Sequence, residues 1–179
     1  MIALEHQEKM IQIRKNKIKQ YQKSLNEIIY LKEHPFEKQK IDTECIISFD
    51  LTNLQLLKKY IENPYLYSRI QHSDYLDQEE RGMTIFKREY QKDDRLLWES
   101  QNHDYIVCLM KEEHKEGYPN DLKELASYVQ ETYQTGYVIS RFLGMINEDG
   151  KVYDFFKTYI EIIKKNGALN KCRVPTKKL

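Results

Sequence analysis

A mostly α-helical protein is what the sequence predicts, and three observations carry the prediction. Residues 3–34 contain neither proline nor glycine and are rich in good helix formers. Between residues 96 and 166, apolar residues recur at three- and four-residue spacing, interrupted by strong breaks at Gly117-Tyr118-Pro119-Asn120 and Asn147-Glu148-Asp149-Gly150. Only two short stretches, Cys45-Ile46-Ile47-Ser48-Phe49-Asp50-Leu51 and Met83-Thr84-Ile85-Phe86-Lys87, read as strands.

In chain order, the first element is a long helix closed by Pro35. Leu4, Ile11, Ile18 and Leu25 fall seven apart, with Met10, Tyr21, Ile28 and Leu31 on the same side. That period marks a narrow seam offered to another helix, either a partner's or the protein's own body. The residue 45–51 stretch fits a strand or a buried helical turn. Thr52 or Asn53 can then cap a helix with Leu54, Leu57 and Ile61 on one face. Pro64 suits the first turn of a short helix running to Ile70. Residues 71–82 read as a polar loop, and if both strand candidates hold they form a small ribbon.

The region from residue 96 onward gives four helices. Trp98, Tyr105, Ile106, Leu109 and Met110 share the first face. Asn120 or Asp121 caps a second, with Leu122, Leu125, Ala126 and Val129. Val138, Phe142 and Met145 mark a third, and Val152, Phe155, Phe156, Tyr159, Ile160 and Ile163 a fourth that Asn166-Gly167 closes. The organisation is thus a basic N-terminal helix (1–40), an irregular middle (41–95), a helical bundle (96–167) and a basic tail (168–179).

The chain has 179 residues, 40 % of them apolar and 32 % charged, with a net charge of +1. This excludes a disordered chain, and no apolar run reaches the roughly 18–20 residues of a transmembrane helix. The first residues lack the apolar core of a signal peptide. Cys45, Cys108 and Cys172 are too few and too scattered for a disulfide framework or a zinc pattern, so reduced thiols in a nuclear or cytosolic compartment are expected. Fourteen tyrosines suit half-wet surfaces buried against a partner.

The small net charge hides segregation: residues 1–40 carry +4, 41–100 carry −4, 101–150 carry −5 and 151–179 carry +6. Either the basic ends meet an anionic partner or they fold back on the acidic middle. Lys9, Arg14, Lys15, Lys17, Lys19 and Lys23 follow one another with no acid between them. They read as phosphate contacts or as a solvated helix face. With Arg141, Lys164, Lys165, Lys171, Arg173, Lys177 and Lys178 they make the candidate nucleic-acid-binding set. Leu4, Ile11, Ile18, Leu25, Tyr65 and Tyr67 make the candidate partner-binding set. Tyr65 and Tyr67 beside Arg69 also suit stacking on single-stranded bases, or a protein groove.

No catalytic signature is present. The six glycines are dispersed, so no phosphate loop forms. His103, Cys108 and His114 are offset by five and six residues, on different faces of a helix. A non-enzyme without cofactor, metal or small-molecule substrate is expected.

Trp98, the run Glu124-Leu125-Ala126 with Val129, and the following Val138 and Phe142 resemble a homeodomain-like helix-turn-helix unit over about 50 residues, 97–147. The segment from Glu131 to Thr135 is about two residues longer than that family's turn, Arg141 is the single cation of the third helix, and the segment is acidic. In size, composition and this unit the chain resembles the homeodomain-like accessory subunits of ciliate DNA adenine methyltransferase complexes. That resemblance implies a non-catalytic nuclear partner that helps an enzyme engage duplex DNA. The alternative is a structural subunit of a cytoplasmic, ciliary or organellar assembly, docked through the first helix.

Overall fold

In the computed structural model, which describes residues 2–165, strand outweighs helix. The long helix α1 (Ile2–Glu33) leads into β1 (Glu37–Gln39) and β2 (Cys45–Ser48). Then follow α2 (Leu54–Glu62), a single 3-10 turn at Pro64–Leu66, β3 (Tyr67–His72) and β4 (Tyr75–Ile85). After a second 3-10 turn at Lys87–Glu89 come β5 (Leu96–Glu99), β6 (Asp104–Glu113), α3 (Leu122–Gln130), β7 (Tyr133–Glu148) and β8 (Lys151–Lys165). All eight strands join one antiparallel sheet in the order β1-β6-β8-β7-β3-β4-β2-β5.

The mostly helical expectation is therefore wrong, and the helix-turn-helix unit does not exist. Its first helix is the strands β5 and β6, its third is β7, and the fourth helix is β8; only the second, α3, is helical. The reason lies in burial on both faces. In β8, Phe155 and Tyr159 point to one face, Phe156 and Ile160 to the other, and all four are buried. The resulting run mimics helical spacing. β6 does the same, with Tyr105 to Cys108 buried consecutively.

Other readings hold locally. Asn53 caps α2, its Oδ1 accepting from the Gln55 and Leu56 amides at 3.1 and 3.2 Å. The two strand candidates do pair, Cys45 opposite Ile85 and Ser48 opposite Gly82, though inside a far larger sheet. Asp149 and Gly150, with φ of 52° and 80°, form the tight turn of the β7–β8 hairpin. The short helix after Pro64 is only one turn, and residues 71–82 are strand, apart from the turn between β3 and β4. The expected cap at 166–167 and the tail 168–179 lie outside the described residues.

The sheet curls strongly. β1 and β6 lie at one end of the strand order and β2 and β5 at the other. Yet residues 40–44 alone join β1 to β2, and 100–103 join β5 to β6. Across a flat sheet each linker would span about 29 Å at roughly 4.8 Å per strand. Chain reach of about 3.5 Å per residue gives only about 21 and 18 Å. The edges must approach each other, and they do: Ile46 of β2 and Trp98 of β5 pack in one cluster with Tyr105 and Val107 of β6 from the other end of the strand order.

Curling creates an interior. Ile46, Ile70, Trp98, Tyr105, Val107, Ile139 and Tyr159, drawn from six strands, pack there with Leu31 of α1. Outside, α3 lays Leu122, Ala126 and Val129 over Cys108, Met110, Val138, Phe156 and Ile160. Leu56 of α2 covers Cys45, Ile47, Met83 and Ile85. Arg69 fixes the α3 side: Nη1 and Nη2 donate to Glu112 at 2.6 and 2.7 Å, and the guanidinium lies 4.4 Å from the Phe156 ring centre.

Cys45 and Cys108 are free and buried. Burial pushes the Cys108 thiol up to about 12 and raises the Cys45 thiol and the Tyr105 and Tyr159 hydroxyls as well. These groups stay neutral in the fold at pH values where the unfolded chain already ionises, from an ordinary thiol value of 9.0. Stability is thus complete below pH 9 and declines as pH rises towards 12. Urea midpoints measured from pH 8 to 11 should fall steadily above 9; a flat profile would contradict this burial.

Candidate functional site

Two places combine exposure with chemistry. The first is a cavity of about 260 Å³ where α1 meets β7 and β8. Arg141 of β7 donates through Nη1 to Asp42, in the linker between β1 and β2, and the Tyr159 hydroxyl donates to the same carboxylate oxygen at 3.2 Å. Lys157 Nζ of β8 donates to Glu27 of α1 at 2.6 Å and lies 5.3 Å from the Tyr159 ring centre. Burial, then the Asp42 charge, raises the Tyr159 hydroxyl. Both inward cations are thus neutralised by the chain's own carboxylates. The arrangement ties α1 and the β1–β2 linker to the sheet, and Lys23 is left as the lining cation with no carboxylate partner among the described residues.

The second place is α1 itself. Residues 4–19 are all exposed, about 24 Å of helix at 1.5 Å per residue, while Ile28 and Leu31 are buried on the body. Leu4, Ile11, Ile18 and Leu25 are 50–64 % exposed. The seven-residue stripe is real and, in this chain, uncovered. Helices in proteins draw most of their stability from packing an apolar face, and over this stretch no described residue covers that face.

Where α1 approaches the body, the stripe continues into an apolar groove of about 320 Å³ between Ile18, Tyr21 and Leu25 on one side and Leu143, Met145 and Ile146 of β7 on the other. The β7–β8 register slips between Phe142 and Gly144, and β3 pairs with β7 only as far as Arg141, so this part of β7 has an unpaired edge. Nothing lies within 4 Å of where a Gly144 side chain would begin.

The candidate residues separate clearly. Lys9, Arg14, Lys15, Lys17, Lys19 and Lys23 all sit on α1, are exposed and form no ion pair with the described acidic residues. The basic end thus divides: Lys32 folds back onto Glu148, and Lys38 and Lys40 onto Asp104, while the cations at 9–23 do not. Arg141 is instead held inward by Asp42. Lys164 is exposed at the end of β8. The Lys165 side chain, Lys171, Arg173, Lys177 and Lys178 lie outside the described residues.

Tyr65 and Tyr67 are half-buried and serve the fold: Tyr65 packs on Tyr21 and Phe142, and Tyr67 on Phe49 and Tyr60. His103 bonds to Glu161 and His114 to Asp154, so neither converges on Cys108. Among the described residues no cluster of three metal-ligating side chains occurs, and no helix is long and apolar enough to cross a membrane.

Sequence reasoning missed Asp42, Glu27 and Lys157, whose meeting depends on the curl, and the groove-lining Leu143, Gly144 and Ile146. The one visible signal for the groove was a glycine inside an apolar run, which often marks a bulge. No protein family, no curated protein and no solved structure matches this chain.

Proposed function

We propose that the protein is a non-catalytic subunit of a larger protein assembly, attached through α1. The observation that carries this reading is the uncovered stripe Leu4, Ile11, Ile18 and Leu25 on a helix half of which stands clear of its own body. Such a surface is the kind an assembly buries. The compact sheet then acts as the mount that holds the helix in place.

Affinity purification of the full chain from its native source tests the attachment. Ile11→Asp with Ile18→Asp should reduce the retained partner at least tenfold. Both residues are exposed in the free chain, so its urea midpoint should hold. An unchanged partner set overturns the reading.

A second form of the same role follows from the six cations of α1 that have no acidic partner among the described residues: a subunit of a nuclear DNA-acting complex in which α1 also lies on phosphates. It needs no helix-turn-helix. Binding of the native assembly to duplex DNA should then weaken steeply with salt, and Lys15, Lys17, Lys19 and Lys23→Gln should flatten that dependence by about 0.9 log–log units for each phosphate no longer neutralised. In a cytoplasmic, ciliary or organellar assembly the same substitutions leave DNA binding unaltered because there is none.

A further inference from the structure

Resting on the attachment just proposed, we infer that the groove between α1 and β7 receives an acidic amphipathic helix of a different protein, with one of its apolar side chains seated over Gly144. Three observations converge on this occupant. The groove continues the α1 stripe, since Ile18 and Leu25 belong to both. Its apolar walls therefore extend an existing helix-pairing seam, and the added surface is an open strand edge that already carries a bulge.

The floor supplies the register. At Gly144 the absent side chain leaves free space, whereas a Cβ at Gly82 would meet Ile46 Cγ2 at 2.4 Å and one at Gly136 would meet Glu161 at 2.2 Å. Those two glycines are required by their neighbours; Gly144 is not. It lacks a positive φ as well. It lines the groove with no neighbour within 4 Å, which leaves that part of the floor open to a side chain from a facing helix.

Charge selects the partner. On the α1 wheel Arg14 falls within the apolar stripe, while Lys15 and Lys17 flank it on opposite sides. Packed helices lie about 8–10 Å apart, comparable to the roughly 8 Å screening length at physiological salt. A second copy of α1 would set these cations against one another with no acid between Lys9 and Lys23 to relieve them. A helix with Glu or Asp beside its apolar seam converts the same contacts into attraction and opposes self-pairing.

The test uses the full chain in its native assembly. A photoactivatable benzophenone is placed on cysteine in Met145→Cys, an exposed position, and Gly144→Trp is made separately to fill the hollow. The expected cross-link joins residue 145 to a helical segment of another protein with acids flanking its apolar positions, and Gly144→Trp lowers retention of that protein at least tenfold. Thermal unfolding of Gly144→Trp should match the parent, because the added ring enters open space. The free chain should sediment as a monomer.

A cross-link to a second copy, to nucleic acid or to a segment without acidic flanks overturns the inference. So does retention of the partner by Gly144→Trp when Ile11→Asp with Ile18→Asp has released it, and in that case the attachment through α1 stands and only the groove is rejected. If neither variant releases the partner, both ideas fall.

Discussion

Replacing Glu112 by alanine should cost about 3–5 kcal/mol of folding stability, the expected penalty for leaving one member of a buried ion pair without its partner. Arg69 would keep only a longer contact to a second carboxylate. Its guanidinium is 13 % exposed, it already lies on the Phe156 ring, and the next carboxylate, Glu79, is 3.5 Å away. The alanine also strips Asn120 Nδ2 of its acceptor, a contact of 3.2 Å at the entry to α3. A paired change, Arg69→Met with Glu112→Leu, removes both charges and should recover most of the loss, because no buried ion then lacks compensation. Urea unfolding of the three proteins measures this. Equal destabilisation by the single and the double variant would show that Arg69 contributes through packing rather than charge.

Trp98→Ala should lose a comparable amount, about 3–5 kcal/mol, although it sits on a four-residue strand at the rim of the sheet. A side chain on an open edge would tolerate truncation. Trp98 is instead 5 % exposed, packed with Tyr105 and Val107 from near the opposite edge, so its removal empties the middle of the curled interior. Leu96, 40 % exposed on the same strand, provides the control: Leu96→Ala should cost less than about 1 kcal/mol. Similar losses for the two variants would mean that the curl leaves β5 outside the core.

How much the sequence disclosed depended on how many faces each segment buries. The one-sided elements were legible: α1 with its stripe, α2 with Asn53, α3 with Leu122, Ala126 and Val129, and the Asp149-Gly150 turn. Segments buried on both sides were not. Phe155, Phe156, Tyr159 and Ile160 carry no alternation, because α3 covers Phe156 and Ile160 while Phe155 and Tyr159 are buried on the opposite face, Tyr159 in the interior. The better clue was composition: β8 is dense in Ile, Val, Tyr, Phe and Thr, residues that favour a pleated surface. The resemblance to a helix-turn-helix unit arose from the same accident of spacing. Of the candidate site, the exposed stripe was readable because it lies within one helix. The meeting of Asp42 with Arg141, or of Glu27 with Lys157, spans 99 and 130 residues and depends on a curl that no local pattern encodes.

The linkers that draw the two edges together also govern how the chain can acquire its shape. β1 waits for β6, with Glu37 opposite Val107, and β3 waits for β7, with Ile70 opposite Ile139. Pairings this remote make for slow folding. On the ribosome, β1 emerges well before the strand that will shield it, and β8, which joins β6 to β7, follows both of them. The nascent chain therefore carries unmatched backbone until β8 is made, and strand edges left open in that interval are the surfaces most prone to pair with other chains.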